Sequence, residues 1–118
     1  MIRLRDLMSR NVIWTSPDEA VRDAARKMEA SNLTLLPVCE NNRLVGALSQ
    51  ADIDAWRARR NPRLGTARVR QIMRTDVVWG NESQDMREIV RLMREKDVRT
   101  LPVLDGVRRL VGIYSFGI

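Results

Sequence analysis

The residues best placed for polar chemistry are a hydroxyl and a carboxylate three positions apart, Ser49 and Asp52, just after the small residues Gly46 and Ala47. At a strand-to-helix junction such a pair can simply cap the helix, and aspartate is among the best capping residues. The same carboxylate can instead accept hydrogen bonds from ligand hydroxyls, with the free N–H groups of the first helical turn beside it. Taken alone, the residues favour the cap. The charge around the pair favours anions: 21 basic against 15 acidic residues leave a net +6, and only Lys27 and Lys96 are lysines. An arginine surplus suits phosphates through bidentate, charge-assisted hydrogen bonds. It does not say whether those phosphates belong to a nucleotide or a nucleic acid, and a GC-rich genome would produce the same preference.

Other chemistries lack their parts. The chain has no histidine, which removes the Ser-His-Asp and Cys-His arrangements and the commonest zinc ligand. Cys39 is the only cysteine, so neither an intramolecular disulfide nor a multi-cysteine metal site can form. It falls in an apolar strand with no basic neighbour in sequence and is expected to be inert. Aspartates and glutamates are scattered over helix faces, without the pairing that acid–base work requires. Trp14 and Trp79 are expected to pack in the core or between repeats. The pairs Met8/Met73 and Met28/Met93 are expected to pack helices rather than bind metal.

The elements that position Ser49 and Asp52 occur twice. A shift of 65 residues places Arg5 on Arg70, Met8 on Met73, Trp14 on Trp79, Arg22 on Arg87, Met28 on Met93 and Pro37 on Pro102. After one inserted residue following Arg108, a shift of 66 places Leu44-Val45-Gly46 on Leu110-Val111-Gly112 and Ser49 on Ser115. Each copy reads as a short strand (Val12-Ile13-Trp14; Val77-Val78-Trp79), a capped helix, a second strand (Leu35 to Cys39; Thr100 to Leu104), a turn and a third strand (Leu44 to Leu48; Leu110 to Tyr114). Capping-box patterns, Ser16 with Glu19 and Asn81 with Gln84, predict the helix starts, with Pro17 in the first helical position. Apolar residues at helical spacing, Val21, Ala24, Ala25 and Met28, then Met86, Ile89, Val90 and Met93, predict the buried faces. A further helix is predicted from about Asp52 to Arg59. One unit of about 50 residues cannot cover so small a sheet, and two copies packed sheet to sheet can. The fold class expected is α/β: two tandem β-α-β-β-α repeats with pseudo-two-fold symmetry. The expected boundaries are 1–59 for the first repeat, 60–68 for a basic linker and 69–118 for a second repeat lacking the closing helix, together forming one module. No apolar run reaches the roughly 20 residues of a membrane span. The charged N-terminus lacks a signal region, so a cytoplasmic location is expected.

This duplicated pattern resembles the CBS domain family, named after cystathionine β-synthase. The matching residues are Asp6-Leu7-Met8 and Gln71-Ile72-Met73, the two Leu-Pro-Val strands, the two Leu-Val-Gly strands and the run Gly46-Ala47-Leu48-Ser49-Gln50-Ala51-Asp52. The resemblance implies a non-enzymatic regulatory module binding AMP, ADP, ATP or S-adenosylmethionine in a cleft between repeats, with no cofactor required. It assigns Asp52 to the ribose hydroxyls and Ser49 to the ribose or first phosphate. Backbone near Leu36, Pro37 and Ala47 would line the base, which the small residues Gly46 and Ala47 would allow to approach. Thr34 and Val77 are counted with the same site. Arg99 would face the phosphates, or else be a surface arginine paired with Asp97 or Glu95. In the second copy Ser115 lacks its aspartate, Ile118 standing in that place, so one working site is expected rather than two. The resemblance also implies a homodimer and a regulated protein partner. The alternatives are a structural homodimerisation module with empty clefts and a nucleic-acid binder. The last has arginine in its favour but no helix-turn-helix, zinc ligands or aromatic platform.

Overall fold

The structure is a computed structural model that describes residues 1–59 and 67–116. Most of the expected basic linker, residues 60–66, and the expectation placed on Ile118 lie outside them. The fold is mixed α/β and tandemly repeated, with elements α1 (Leu4–Leu7), α2 (Val21–Ala30), β1 (Leu35–Glu40), β2 (Arg43–Ser49), α3 (Gln50–Ala58), a 3₁₀ turn (Val69–Gln71), β3 (Gly80–Asn81), α4 (Met86–Lys96), β4 (Thr100–Leu104) and β5 (Leu110–Ser115).

The helical periodicity translates directly into burial. In α2, Val21, Ala24, Ala25 and Met28 are buried, and in α4, Met86, Ile89 and Met93 are. Both helices are followed by a short polar residue in the left-handed region, Asn32 at φ 52° and Asp97 at φ 53°. Asparagine and aspartate tolerate that conformation better than other side chains. Between β1 and β2, Asn41 and Asn42 have φ of 53° and 65°, the geometry of a tight type I′ turn. The one-residue insertion in the second copy is absorbed between β4 and β5. There the register shifts at Val103/Leu104, Arg108 takes φ 66°, and Asp105 accepts the N–H groups of Val107 and Arg109, each at 2.9 Å.

The two compact units do not follow the repeat boundaries. One comprises Met1–Val12, Asn42–Leu44 and Val78–Ile118, and the other Ile13–Asn41 and Val45–Val77. The lead-in of each repeat is thus built into the unit that holds the body of the other. In the first unit Arg3 bridges Asp85 and Ser9 bridges Ile113; in the second Ala20 bridges Arg68 and Ala47 bridges Arg74. These bridges are equivalent pairs under the 65- and 66-residue shifts. So are α1 and the 3₁₀ turn at Val69–Gln71. The cores reflect the exchange. Leu4 and Met8 are buried with Met86, Ile89, Met93, Leu101 and Val103, and Val69 with Ala24, Ala25, Met28, Leu36, Val38, Leu48 and Ile53.

Several local expectations are corrected. The first strands do not lie at Val12–Trp14 and Val77–Trp79. Parallel pairing falls later, as a bridge between Thr15 and Val38 and as β3 on Val103 and Leu104. Trp14, expected in the core or between repeats, is not in the core but 46% exposed, and Trp79 is half-buried beneath the Arg108 guanidinium, 5.7 Å from its ring centre. Neither predicted capping box starts a helix. The helices begin at Val21 and Met86 behind Ala20 and Asp85, while Ser16 and Asn81 hold turns just upstream, accepting the N–H groups of Asp18 at 3.2 Å and Ser83 at 3.0 Å. Pro17 therefore lies in a turn and not in the first helical position. The methionines are packing residues, as expected: Met8, Met28 and Met93 are buried, and Met73 packs against the second core.

Candidate functional site

Chemistry-bearing residues gather where β2 passes into α3. Ser49 is the N-cap of α3 and Asp52 is its third residue, so Asp52 is not itself the cap. Their capping box is reciprocal. The Asp52 N–H donates to Ser49 Oγ at 3.1 Å, and the Ser49 N–H donates to Asp52 Oδ2 at 3.3 Å. Ser49 Oγ also donates to Asp52 Oδ2 at 2.7 Å. The carboxylate has a further partner that the sequence does not place there. Arg74 Nε lies 3.1 Å from Oδ1 and 3.2 Å from Oδ2, and Nη2 lies 3.1 Å from Oδ1.

Asp52 is mostly buried, its side chain 15% exposed, whereas Arg74 is 66% exposed. Burial pushes the Asp52 carboxyl up, but hydrogen bonds from Arg74 and Ser49, with the guanidinium charge, outweigh it and hold the group below the ordinary carboxylate range. The carboxylate is therefore ionised throughout the neutral range, which is the state that accepts hydroxyl donors. Below it opens a cavity of about 230 Å³ lined by Asp52, Ala55, Trp56, Arg59, Gln71 and Ile72. Trp56, one of these lining residues, has its Nε1 buried without a partner among the described residues.

The reason for the small residues beside Ser49 differs from the one expected. A Cβ on Gly46 would lie 2.7 Å from the Arg74 carbonyl oxygen and 2.9 Å from Met73 Sδ. Ala47 and Arg74 exchange two backbone hydrogen bonds, both 2.9 Å. The space over β2 at Gly46 is thus taken by the incoming lead-in and is not left open for a flat base. Gly112 repeats this arrangement, with a Cβ at 2.5 Å from Met8 Sδ and 2.9 Å from the Ser9 carbonyl oxygen.

Of the other predicted site residues, Thr34 is brought close: its carbonyl accepts the N–H of Gln50, the residue after Ser49, at 3.1 Å. Leu36 is fully buried in the core, and the Pro37 carbonyl accepts the Thr15 N–H at 3.0 Å. Val77 is half-buried, and nothing described ties it to Asp52. Arg99 belongs to the other compact unit. It is exposed, and among the described residues it pairs with neither Asp97 nor Glu95. Ser115, the counterpart of Ser49, is exposed with its hydroxyl 3.1 Å from that of Thr100. Cys39 is buried, and burial pushes its thiol up to about 11, so it is inert as expected.

Two functional candidates escaped sequence reasoning. Trp56 had no signal beyond its type. Arg74 had a faint one: it replaces Ser9 of the first copy, just as Asp52 is replaced by Ile118 in the second. Among the described residues no group of three or more Cys, Asp or Glu could hold a metal, and no helix is long and apolar enough to cross a membrane.

A duplicated α/β unit whose copies exchange lead-ins, with a buried carboxylate fixed at the strand-to-helix junction of one copy, defines a tandem-repeat α/β module. The profile of the CBS domain matches residues 4–58 and 69–117. The chain belongs to the CBS domain family. It is 33% identical over 117 residues to the CBS domain-containing protein YhcV of Bacillus subtilis, covering 99% of this chain and 82% of that one. The solved structure of CBSX2 in complex with AMP superposes with a TM-score of 0.83 at 27% identity, covering 98% of this chain and 90% of that one. The CBS domain pair of protein MJ0100, in complex with 5′-methylthioadenosine and S-adenosyl-L-methionine, shares the fold with a TM-score of 0.84 at 23% identity, covering 97% of this chain and 92% of that one.

Proposed function

We propose that the chain is a cytoplasmic, non-enzymatic regulatory module that binds an adenine nucleotide at Ser49 and Asp52 and passes the signal to a protein partner. The observation that carries this reading is the Asp52 carboxylate. It is ionised, mostly buried and fixed by Ser49 at the start of α3. Such a carboxylate can take both hydroxyls of a ribose. AMP bound by CBSX2 supports the adenine class. Thr34 stands next to this junction, and Ala47, Leu36, Pro37 and Val77 belong to the same compact unit. In this reading Leu36, buried in the core, and Ala47 hold β1 and β2 in place behind the base end, while Pro37 and Val77 shape it. The ligand acts by binding one arrangement of the protein better than another. A homodimer is proposed through α4, where a cavity of about 510 Å³ is lined by Met86, Val90, Arg87, Arg91, Arg94 and Glu95.

The test is titration calorimetry with AMP, ADP, ATP and S-adenosylmethionine. Loss of hydrogen bonds to a charged group costs about 1.5–3 kcal/mol, so Asp52→Ala is expected to weaken binding by roughly 10- to 100-fold. If none of the four binds, or if Asp52→Ala binds as the parent does, the reading fails. One observation favours a second reading, a structural dimerisation module with no ligand: Asp52 is already satisfied by Arg74 and Ser49. A dimer that binds none of the four compounds would support it.

A further inference from the structure

The Asp52 carboxylate has little acceptor capacity to spare. Oδ2 receives Ser49 Oγ at 2.7 Å and the Ser49 N–H at 3.3 Å, while Oδ1 receives Arg74 Nε and Nη2, both at 3.1 Å. A ribose diol needs two acceptor positions. The Ser49 bonds belong to the helix cap and are kept when a ligand arrives. The Arg74 bonds come from a side chain two-thirds exposed, and they are the ones that can be exchanged. Any ligand that uses Asp52 must therefore displace Arg74.

What replaces the lost ion pair decides which ligand succeeds. A neutral nucleoside offers the carboxylate two hydroxyls but leaves the guanidinium without an anion. A nucleoside phosphate offers the hydroxyls and, a few bonds away, a dianion whose oxygens match the guanidinium fork. The exchange is then balanced in charge, with carboxylate–guanidinium replaced by carboxylate–diol and phosphate–guanidinium. S-adenosylmethionine carries net positive charge and makes the exchange less favourable. The two copies support a matched pair. The arginine is present where the aspartate is, and the copy with Ile118 in the aspartate position has Ser9 in place of Arg74. Apart from the aspartate, the backbone setting is the same in both, since Ser9 bridges Ile113 as Arg74 bridges Ala47.

We propose that Arg74 is a specificity-determining residue that guards Asp52 and makes the site select phosphorylated adenine nucleotides over adenosine. This rests on the reading of Ser49 and Asp52 as the ligand site.

The experiment measures AMP and adenosine affinities of the full chain and of its Arg74→Gln and Asp52→Asn variants by calorimetry. The parent should prefer AMP by about tenfold or more, and Arg74→Gln should bind adenosine more tightly and AMP more weakly, so that the preference falls at least about fivefold. Added salt screens the exposed guanidinium, so it should raise adenosine affinity in the parent and leave it flat in Arg74→Gln. An unchanged AMP-to-adenosine ratio in Arg74→Gln, with Asp52→Asn abolishing both, overturns the role of Arg74 and leaves the site standing. Equal binding by Asp52→Asn and the parent, or no binding of either compound by the parent, removes the site and this inference with it.

Discussion

Replacing Gly46 by alanine tests the exchange of lead-ins at the point where the backbone is most crowded. The added Cβ would lie 2.9 Å from Met73 Sδ and 2.7 Å from the Arg74 carbonyl oxygen. The thioether is the end of a flexible side chain and can swing away. The carbonyl cannot, because two 2.9 Å hydrogen bonds tie Arg74 to Ala47. Relief requires moving the Met73–Arg74 backbone off β2, which strains that bridge and loosens Val69, buried in the same core. Overpacking of this kind costs about 1–3 kcal/mol. For a chain of this size each kcal/mol corresponds to roughly 3–6 °C, so Tm should fall by about 6–12 °C at a cost near 2 kcal/mol. Gly106→Ala is the control, since a Cβ there meets nothing within 4 Å. It should be neutral or raise stability by up to about 1 kcal/mol through the unfolded chain. Met73→Ala should rescue Gly46→Ala only in part, because the carbonyl contact remains. Urea denaturation monitored by tryptophan fluorescence reads all four proteins. A Gly46→Ala stability within about 0.5 kcal/mol of the parent would show that the lead-in does not press on β2, and the exchanged architecture would fall with it.

Acidification tests the Asp52 ion pair. Its folded carboxyl lies below the ordinary value of 3.8, so its stabilisation is present above that value and lost as pH falls through the lower folded one. The stability gap between the parent and Asp52→Asn should therefore begin to shrink as pH falls below about 4, and a gap that stays the same size as the pH is lowered further would refute the pairing. Cys39, with its thiol raised to about 11 by burial, should react with a thiol reagent at about pH 8 only as the protein opens, and immediate stoichiometric labelling of the folded chain would contradict this. Thr15, fully buried with its hydroxyl bonded to Glu19, should lose about 1 kcal/mol as Thr15→Val, and an unchanged midpoint in urea would show that the bond contributes nothing. Deleting residues 1–9 removes the lead-in that carries Leu4 and the Ser9–Ile113 bridge. Amide exchange should then accelerate at Ile113 and Met86 while Ala47 stays protected, and uniform acceleration would argue against the division into these two units.

Legibility in the sequence followed the range of the interactions. The buried faces of α2 and α4 were readable because helical periodicity records burial directly, and the strands Leu35–Glu40 and Thr100–Leu104 because each is a short continuous apolar run, buried almost throughout. The helix starts were not. A serine followed by a glutamate three residues on satisfies backbone donors equally well in a turn or in a cap, so local chemistry at Ser16 and Asn81 does not distinguish the two. The decision is made by distant residues. Ala20 is held extended by pairing with Arg68, and Asp85 by pairing with Arg3, so neither helix can begin before Val21 or Met86. The first strands failed in a similar way. Val12, Ile13 and Trp14 have strand propensity, but the register against β1 is set at Thr15, and Trp14 is left outside.

The site divides along the same line. Ser49 and Asp52 are three residues apart, and their mutual bonding follows from the start of α3 alone. Arg74 is 22 residues from Asp52 and reaches it only because the second lead-in is built into the unit that holds the body of the first repeat. That exchange changes how the duplication should be read for function. A residue's functional neighbours are found by pairing the body of one copy with the lead-in of the other, so the relevant comparison is Asp52 with Arg74 against Ile118 with Ser9. Aligning copy on copy shows two unrelated substitutions, while aligning unit on unit shows one ion pair present and one absent. Resemblance between the copies identifies the fold, and the paired difference between them points to the residues that give one copy its chemistry.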